Sequence, residues 1–106
     1  MPETTLKDFF KGLESKINSK PELLSGMDCI YQFMVGNFAY NISIKGGKAV
    51  VAEGEAPSPN CTITISESDF IDMLAGNLNG QMAFLSGRLK VAGDIGQAFR
   101  LGSFIS

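Results

Sequence analysis

The sequence predicts an α+β domain, a five-stranded and mostly antiparallel sheet with its helices gathered on one face. Three observations carry this. Apolar spacing changes from a helical period to a period of two and back again along the chain. The period-two stretches are joined by Gly36-Asn37 and Gly46-Gly47, two-residue hairpin signals that demand antiparallel neighbours. Finally, 106 residues, 44% of them hydrophobic, suffice for one core spanning residues 1–106 and are too few for two.

Residues 4–19 carry Leu6, Phe9, Phe10, Leu13 and Ile17, one stripe of an α-helix. Thr5 and Asp8 resemble a capping box at its start, and Lys7, Lys11, Glu14 and Lys16 are expected to face water. Pro21 ends the element, because the residue before a proline avoids helical geometry. From Asp28 to Val35 the apolar residues Cys29, Tyr31, Phe33 and Val35 alternate, and Phe38, Tyr40, Ile42 and Ile44 follow at the same period. Lys48 to Glu53 forms a third strand, so these three make an antiparallel meander with one solvated face.

Gly54 to Asn60, with Pro57 and Pro59, reads as a loop, and Cys61, Ile63 and Ile65 mark a fourth strand. Ser66 caps a second helix, with Asp69 at the capping-box position and Phe70, Ile71, Met73 and Leu74 along it. Asn77, Asn79 and Gly80 turn the chain into a short helical segment at 81–85. Arg88 to Ala92 alternates again as a fifth strand, Gly93 turns the chain, and Asp94 caps a last helix bearing Ile95, Ala98, Phe99, Leu101, Phe104 and Ile105. The order is α-β-β-β-β-α-(α)-β-α.

Composition excludes several functions. Nine Lys and Arg against eleven Asp and Glu leave a net charge of −2, without the basic face that phosphate neutralisation requires, so no nucleic-acid partner is expected. With no histidine there is no Ser-His-Asp or Cys-His pair and no imidazole ligand. No phosphate-binding glycine motif is present, and Asp69 and Asp72 suit a helix N-terminus better than an acid–base pair. The expectation is a protein that is not an enzyme, with no catalytic residue, cofactor or metal. Cys29 and Cys61, without a C-x-x-C pattern, read as buried reduced thiols rather than a disulfide. No signal peptide is recognisable at the N-terminus.

What composition leaves without a catalytic account is apolar bulk: eight Phe and five Met in a small domain. Such side chains at helical spacing usually form core, but they also suit the adaptable wall of an apolar ligand cavity. Gly96 and Gly102 inside the last helix fit either a loosely held gate or close helix–sheet packing. Arg88 and Lys90 form a solvated face or a transient contact with an anionic membrane surface. Lys20 either complements a helix C-terminus or contacts a ligand carboxylate.

Three blocks then resemble one family. Cys61-Thr62-Ile63-Thr64-Ile65-Ser66-Glu67-Ser68-Asp69-Phe70 is similar to a strand entering a capped helix in the sterol carrier protein type 2 domain. Gly76-Asn77-Leu78-Asn79-Gly80-Gln81-Met82-Ala83-Phe84 resembles that family's G-K-x-N-P-Q-x-A-F turn, with Asn77 where Lys is usual and Gly80 where Pro is usual. Ser86-Gly87-Arg88-Leu89-Lys90-Val91-Ala92-Gly93-Asp94 matches its x-G-K-L-K-I-x-G-[ND] strand and turn.

The resemblance implies helices enclosing an elongated hydrophobic tunnel against the sheet, and a carrier of fatty acids, sterols, acyl-CoA or phospholipid that does not transform them. By position, Phe70, Leu74, Gln81, Met82, Phe84, Leu85, Phe99, Phe104 and Ile105 would line the tunnel, Gln81 as a rare polar group inside. On pattern alone, Phe9, Leu13, Ile17, Leu24, Tyr31 and Phe33 join that lipid-binding set. An empty ~500 Å³ tunnel would cost roughly 12 kcal/mol at about 24 cal/mol per Å³, comparable to the stability of a whole domain. Partial collapse when empty is therefore expected, or filling by lipid, since some fourteen buried methylenes return roughly 11 kcal/mol. The chain ends Phe104-Ile105-Ser106, unlike the peroxisomal tripeptide of many members, so a cytoplasmic carrier is expected. The alternative is a ligand-free interaction module or homodimer on the same fold, using Ile30 and Met34 on the far face of the first strand.

Overall fold

A computed structural model describes residues 3–105, with side chains for 5–22 and 24–100. Helix α1 (Glu3–Asn18) leads through a 3₁₀ turn (Pro21–Leu24) to β1 (Cys29–Val35), β2 (Phe38–Lys45), β3 (Lys48–Glu53) and β4 (Cys61–Ile65). Helices α2 (Glu67–Leu74) and α3 (Gly80–Leu85), strand β5 (Leu89–Gly93) and helix α4 (Ile95–Ile105) follow. The five strands form one sheet in the order β3-β2-β1-β4-β5, antiparallel at every pairing except β1 with β4. The α+β class and the mostly antiparallel sheet are those expected.

The tight turns explain the meander. Gly46 and Gly47 both adopt positive φ, the type I′ pattern whose twist matches that of the flanking strands. Period two then puts Tyr31, Phe33 and Val35 of β1, Ile42 and Ile44 of β2 and Cys61, Ile63 and Ile65 of β4 on one face, all buried. Leu6, Phe10, Leu13 and Ile17 of α1 cover this face and are buried with it.

Four local expectations change. Helix α1 starts at Glu3, so Thr5 lies inside it and caps nothing. Glu14 does not simply face water: its Oε2 accepts from Val51 N at 2.6 Å, while Asn18 accepts from Ala49 N (2.8 Å) and donates to Ala49 O (2.9 Å). With the Lys7–Glu53 ion pair at 3.1 Å, these contacts run α1 along the open edge of β3 and satisfy the backbone groups an edge strand leaves unpaired. Gly93 is the last residue of β5, opposite Cys61, rather than a turn beyond it. Its φ of +90°, and the overlap a Cβ would make with Asn60 O, leave room only for glycine.

The fourth change concerns the outer face of the sheet, which is not fully solvated. The 54–60 loop folds over it: Gln32 donates to Gly54 O (3.2 Å) and accepts from Ala56 N (2.7 Å), and Asn41 donates to Gly54 O (3.1 Å). Gln32 and Asn41, cross-strand partners, are consequently buried. Ile30 and Met34, expected to be exposed, are half-buried on this partly covered face. The Met34 sulfur accepts from Gln32 Nε2 at 3.6 Å, and the Ile30 N–H donates to Asn60 Oδ1 at 2.8 Å.

Candidate functional site

The apolar residues singled out from the sequence fall into two groups. The first is packed. Phe10 stacks on Tyr40, centroids 4.5 Å apart, and contacts Phe33 at 5.2 Å. Phe9 meets Phe70 edge-on at 5.1 Å, which ties α2 to α1. Leu13, Ile17, Leu24, Tyr31, Phe33 and Phe70 are all buried, and Phe9 is half-buried against them. Two open clefts of about 340 and 280 Å³ lie on this side. Their linings include Lys7, Lys11, Glu14 and Glu53, so both have charged rims. Lys20 is half-buried where α1 gives way to the 3₁₀ turn.

The second group lies open. Leu74 of α2 is 41% exposed, Met82 and Leu85 of α3 are 61% and 72%, and Phe99 of α4 is 60%. Gln81 is exposed as well, on the first turn of α3. Phe104 and Ile105 have side chains outside the described residues. Met73 of α2, Ala98 of α4 and the β5 residues Leu89 and Val91 are only partly buried against the core. The open residues are linked across the helices: Phe84 meets Phe99 edge-on at 6.1 Å, and Met73 Cε lies 3.5 Å from where a Cβ on Gly80 would stand.

Local sequence explains why these helices stand where they do. Ser66 Oγ accepts from Asp69 N at 3.2 Å and starts α2, as expected. Asn79, read from sequence only as a turn, caps α3 through Gln81 N (2.8 Å) and Met82 N (3.3 Å). Asp94 caps α4 through Gln97 N at 3.2 Å. Each helix is short and begins at its own cap, so each can sit on the sheet with few contacts to its neighbours.

A polar cluster sits under α4. The Tyr31 hydroxyl donates to the main-chain oxygen of Gln97 at 2.8 Å and stands 3.4 Å from its side-chain Oε1. Cys29 Sγ lies 3.9 Å from the same Oε1. Burial, reinforced by the hydrogen bond with Cys29, raises the Tyr31 phenol well above its ordinary range. Burial also pushes the Cys61 thiol up, with the Asp94 carboxylate and Cys29 adding to it. Cys29 and Cys61 are both free and buried. A thiol held protonated in this way is a poor nucleophile. Sequence reasoning missed Gln97. The signal was slight: it is an amide next to Ala98, one turn after the Asp94 cap. Among the described residues, no group of three or more Cys, Asp or Glu side chains could hold a metal ion, and no helix is long and apolar enough to cross a membrane.

Comparison with known proteins agrees with this architecture. The sequence pattern described as the SCP-2 sterol transfer family matches residues 10–106. Hydroxysteroid dehydrogenase-like protein 2 of Xenopus tropicalis is 38% identical over 103 residues, covering 91% of this chain and 24% of that protein. Sterol carrier protein 2 of Rattus norvegicus is 32% identical over 101 residues, covering 89% of this chain and 18% of that protein. The chain thus spans a quarter or less of the length of these curated relatives. The solution structure of sterol carrier protein domain 2 of Helicoverpa armigera superposes with a TM-score of 0.74 at 33% identity, covering 91% of this chain and 81% of that one.

Proposed function

This chain belongs to the SCP-2 sterol transfer family, and from that premise we propose that it carries lipids, fatty acids and sterols among them, without transforming them. One observation carries the proposal beyond family membership: α2, α3 and α4 leave Leu74, Met82, Leu85 and Phe99 exposed above half-buried sheet residues. In this reading a lipid chain enters between these helices and β4–β5 and completes their burial. Phe70 and Phe84 form the rest of the wall, and Gln81 stands at the rim. Each methylene removed from water contributes about 0.8 kcal/mol, so a long acyl chain or a sterol nucleus supplies ample driving force with no fixed polar anchor. That driving force is non-directional, which fits tolerance of several lipid classes. The two free buried thiols suit a reducing compartment, so the interior of the cell is the proposed setting.

The test is displacement of a fluorescent fatty acid, together with native mass spectrometry of the protein loaded with lipid. Saturable one-to-one binding is expected, weakened by Leu85→Asp or Met82→Asp. Absence of saturable binding for fatty acid, sterol and phospholipid alike overturns the reading.

A further inference from the structure

The two edges of the sheet are finished differently. On β3, side chains of α1 hold main-chain groups of the open edge, Glu14 at Val51 and Asn18 at Ala49. On β5 no described side chain does so. Asp94 N donates to Asn60 O at 3.0 Å, which makes residues 60 and 94 a hydrogen-bonded pair of the antiparallel ladder. Bonded and non-bonded pairs alternate, so Ala92 and Lys90 also turn their main-chain groups to β4, opposite Thr62 and Thr64. Leu89 and Val91 therefore turn theirs to the open side, where no hydrogen bond reaches them among the described residues. Helix α4 runs away from this edge: it leaves β5 at Asp94 and crosses toward β4 and α1.

We propose that the β5 edge pairs antiparallel with the β5 edge of a second copy of this chain, in a register centred on Val91. Unpaired N–H and C=O groups on an edge strand are a template for such addition. Val91 is the middle residue of the strand, so this register uses all five residues. Val91 then faces Val91 of the second copy and Leu89 faces its Gly93, and each pair exchanges both N–H···O bonds. Lys90 meets Ala92, so like charges do not oppose each other. Just beyond the strand ends, Arg88 of each copy arrives opposite Asp94 of the other, two exposed residues of opposite sign. A register centred on Lys90 loses this match: the two Lys90 side chains oppose each other and Arg88 moves to Ala92. Opposite residues of an antiparallel pair point to the same face, so the helices of both copies lie on one side of the joined sheet. The strand is short, and the expected product is a weak, reversible dimer.

The experiment is a concentration series on the whole chain, followed by sedimentation velocity and by amide hydrogen exchange. The weight-average mass should rise from monomer toward dimer. The Leu89 and Val91 amides should gain protection as the dimer forms, whereas those of Lys90 and Ala92, already bonded to β4, should not change. Val91→Pro removes an N–H that makes no bond in the monomer, and proline is tolerated at such an edge position. It should raise the dimer dissociation constant at least about tenfold, the loss of two neutral hydrogen bonds, with a thermal melt confirming the fold. Arg88→Glu places a like charge opposite Asp94 twice over and should also weaken the dimer about tenfold. Adding Asp94→Asn, which keeps a capping side chain on α4, should recover most of that second loss. A chain that stays monomeric up to about 1 mM, where even a weak pair is half associated, overturns the proposal. A dimer that leaves the Leu89 and Val91 amides unprotected does the same, because the contact then lies on another surface. So does a dimer that Val91→Pro and Arg88→Glu both leave unchanged.

Discussion

In the half of the molecule built from α1 and β1–β3, most apolar side chains are buried, with Val50 an exception, and the open strand edge is satisfied by α1. In the half built from α2, α3, α4, β4 and β5, comparable side chains are left over. Phe10 contacts Phe9, Phe33, Tyr40 and Phe70, whereas Phe99 is 60% exposed and has, among the described residues, a single ring partner, Phe84. The cause is the length and attachment of the helices. α1 has sixteen residues and a side-chain ladder on β3, while α2 and α3 have eight and six. A short helix presents too little apolar stripe to close a sheet by itself. The first half is a scaffold that is complete without ligand. The second leaves apolar surface open, which in the proposed reading a lipid covers.

Mutations should separate the two halves. Phe10→Ala, in the closed half, should lower stability by about 3–5 kcal/mol in chemical denaturation. A loss below about 1 kcal/mol would show that half to be less tightly packed than its ring distances indicate. Gly93→Ala, at the seam between the halves, forces a side chain onto positive φ and against Asn60 O. About 1–3 kcal/mol should be lost, read from the same titration. Asn18→Ala leaves the Ala49 N–H and C=O without their side-chain partners on the edge. The expected cost is about 1–2 kcal/mol, together with a concentration-dependent tendency to associate through the uncovered strand, measured by light scattering.

Alkaline pH probes the sheet beneath α4. The folded state holds the Cys61 thiol protonated above its ordinary value of 9.0. Its contribution is therefore complete below pH 9 and is lost as pH rises, because the unfolded chain releases that proton first. The slope from one proton cannot exceed about 1.4 kcal/mol per pH unit, and Cys61→Ala should flatten it in melts between pH 8 and 10. The smallest effect on stability belongs to the open half. Leu85→Ala should change unfolding by less than about 0.5 kcal/mol yet weaken lipid binding roughly fivefold, about 1 kcal/mol of lost apolar contact. A Leu85 variant that unfolds easily but binds normally would reverse the comparison between the halves.

Much of the fold is legible in the sequence because its signals are local. The alternation from Cys29 to Ile44, the Gly46-Gly47 turn and the Ser66 cap each depend on a few neighbouring residues. The site is less legible, because burial there depends on distant partners. Phe70 and Leu74 share a helix and a composition. Yet Phe70 finds Phe9 and is buried, while Leu74 is 41% exposed. Glu14 reads as a solvated position on a helix and Asn18 carries no signal of its own, since nothing near them in sequence reveals the β3 edge 31 or more residues away.

By itself, then, the sequence determined the α+β class, the strands and their hairpins, the Ser66 and Asp94 caps and the absence of histidine chemistry. Periodicity, turn residues and composition act over short range, and they need no knowledge of the remaining chain. Only the tertiary structure decided that β4 lies parallel to β1, that the 54–60 loop buries Gln32 and Asn41, and that α1 seals one edge. It alone brought the Gln97 amide to Tyr31, 66 residues away along the chain. Contacts of that separation form only when the whole sheet has assembled, and local preference carries no record of them.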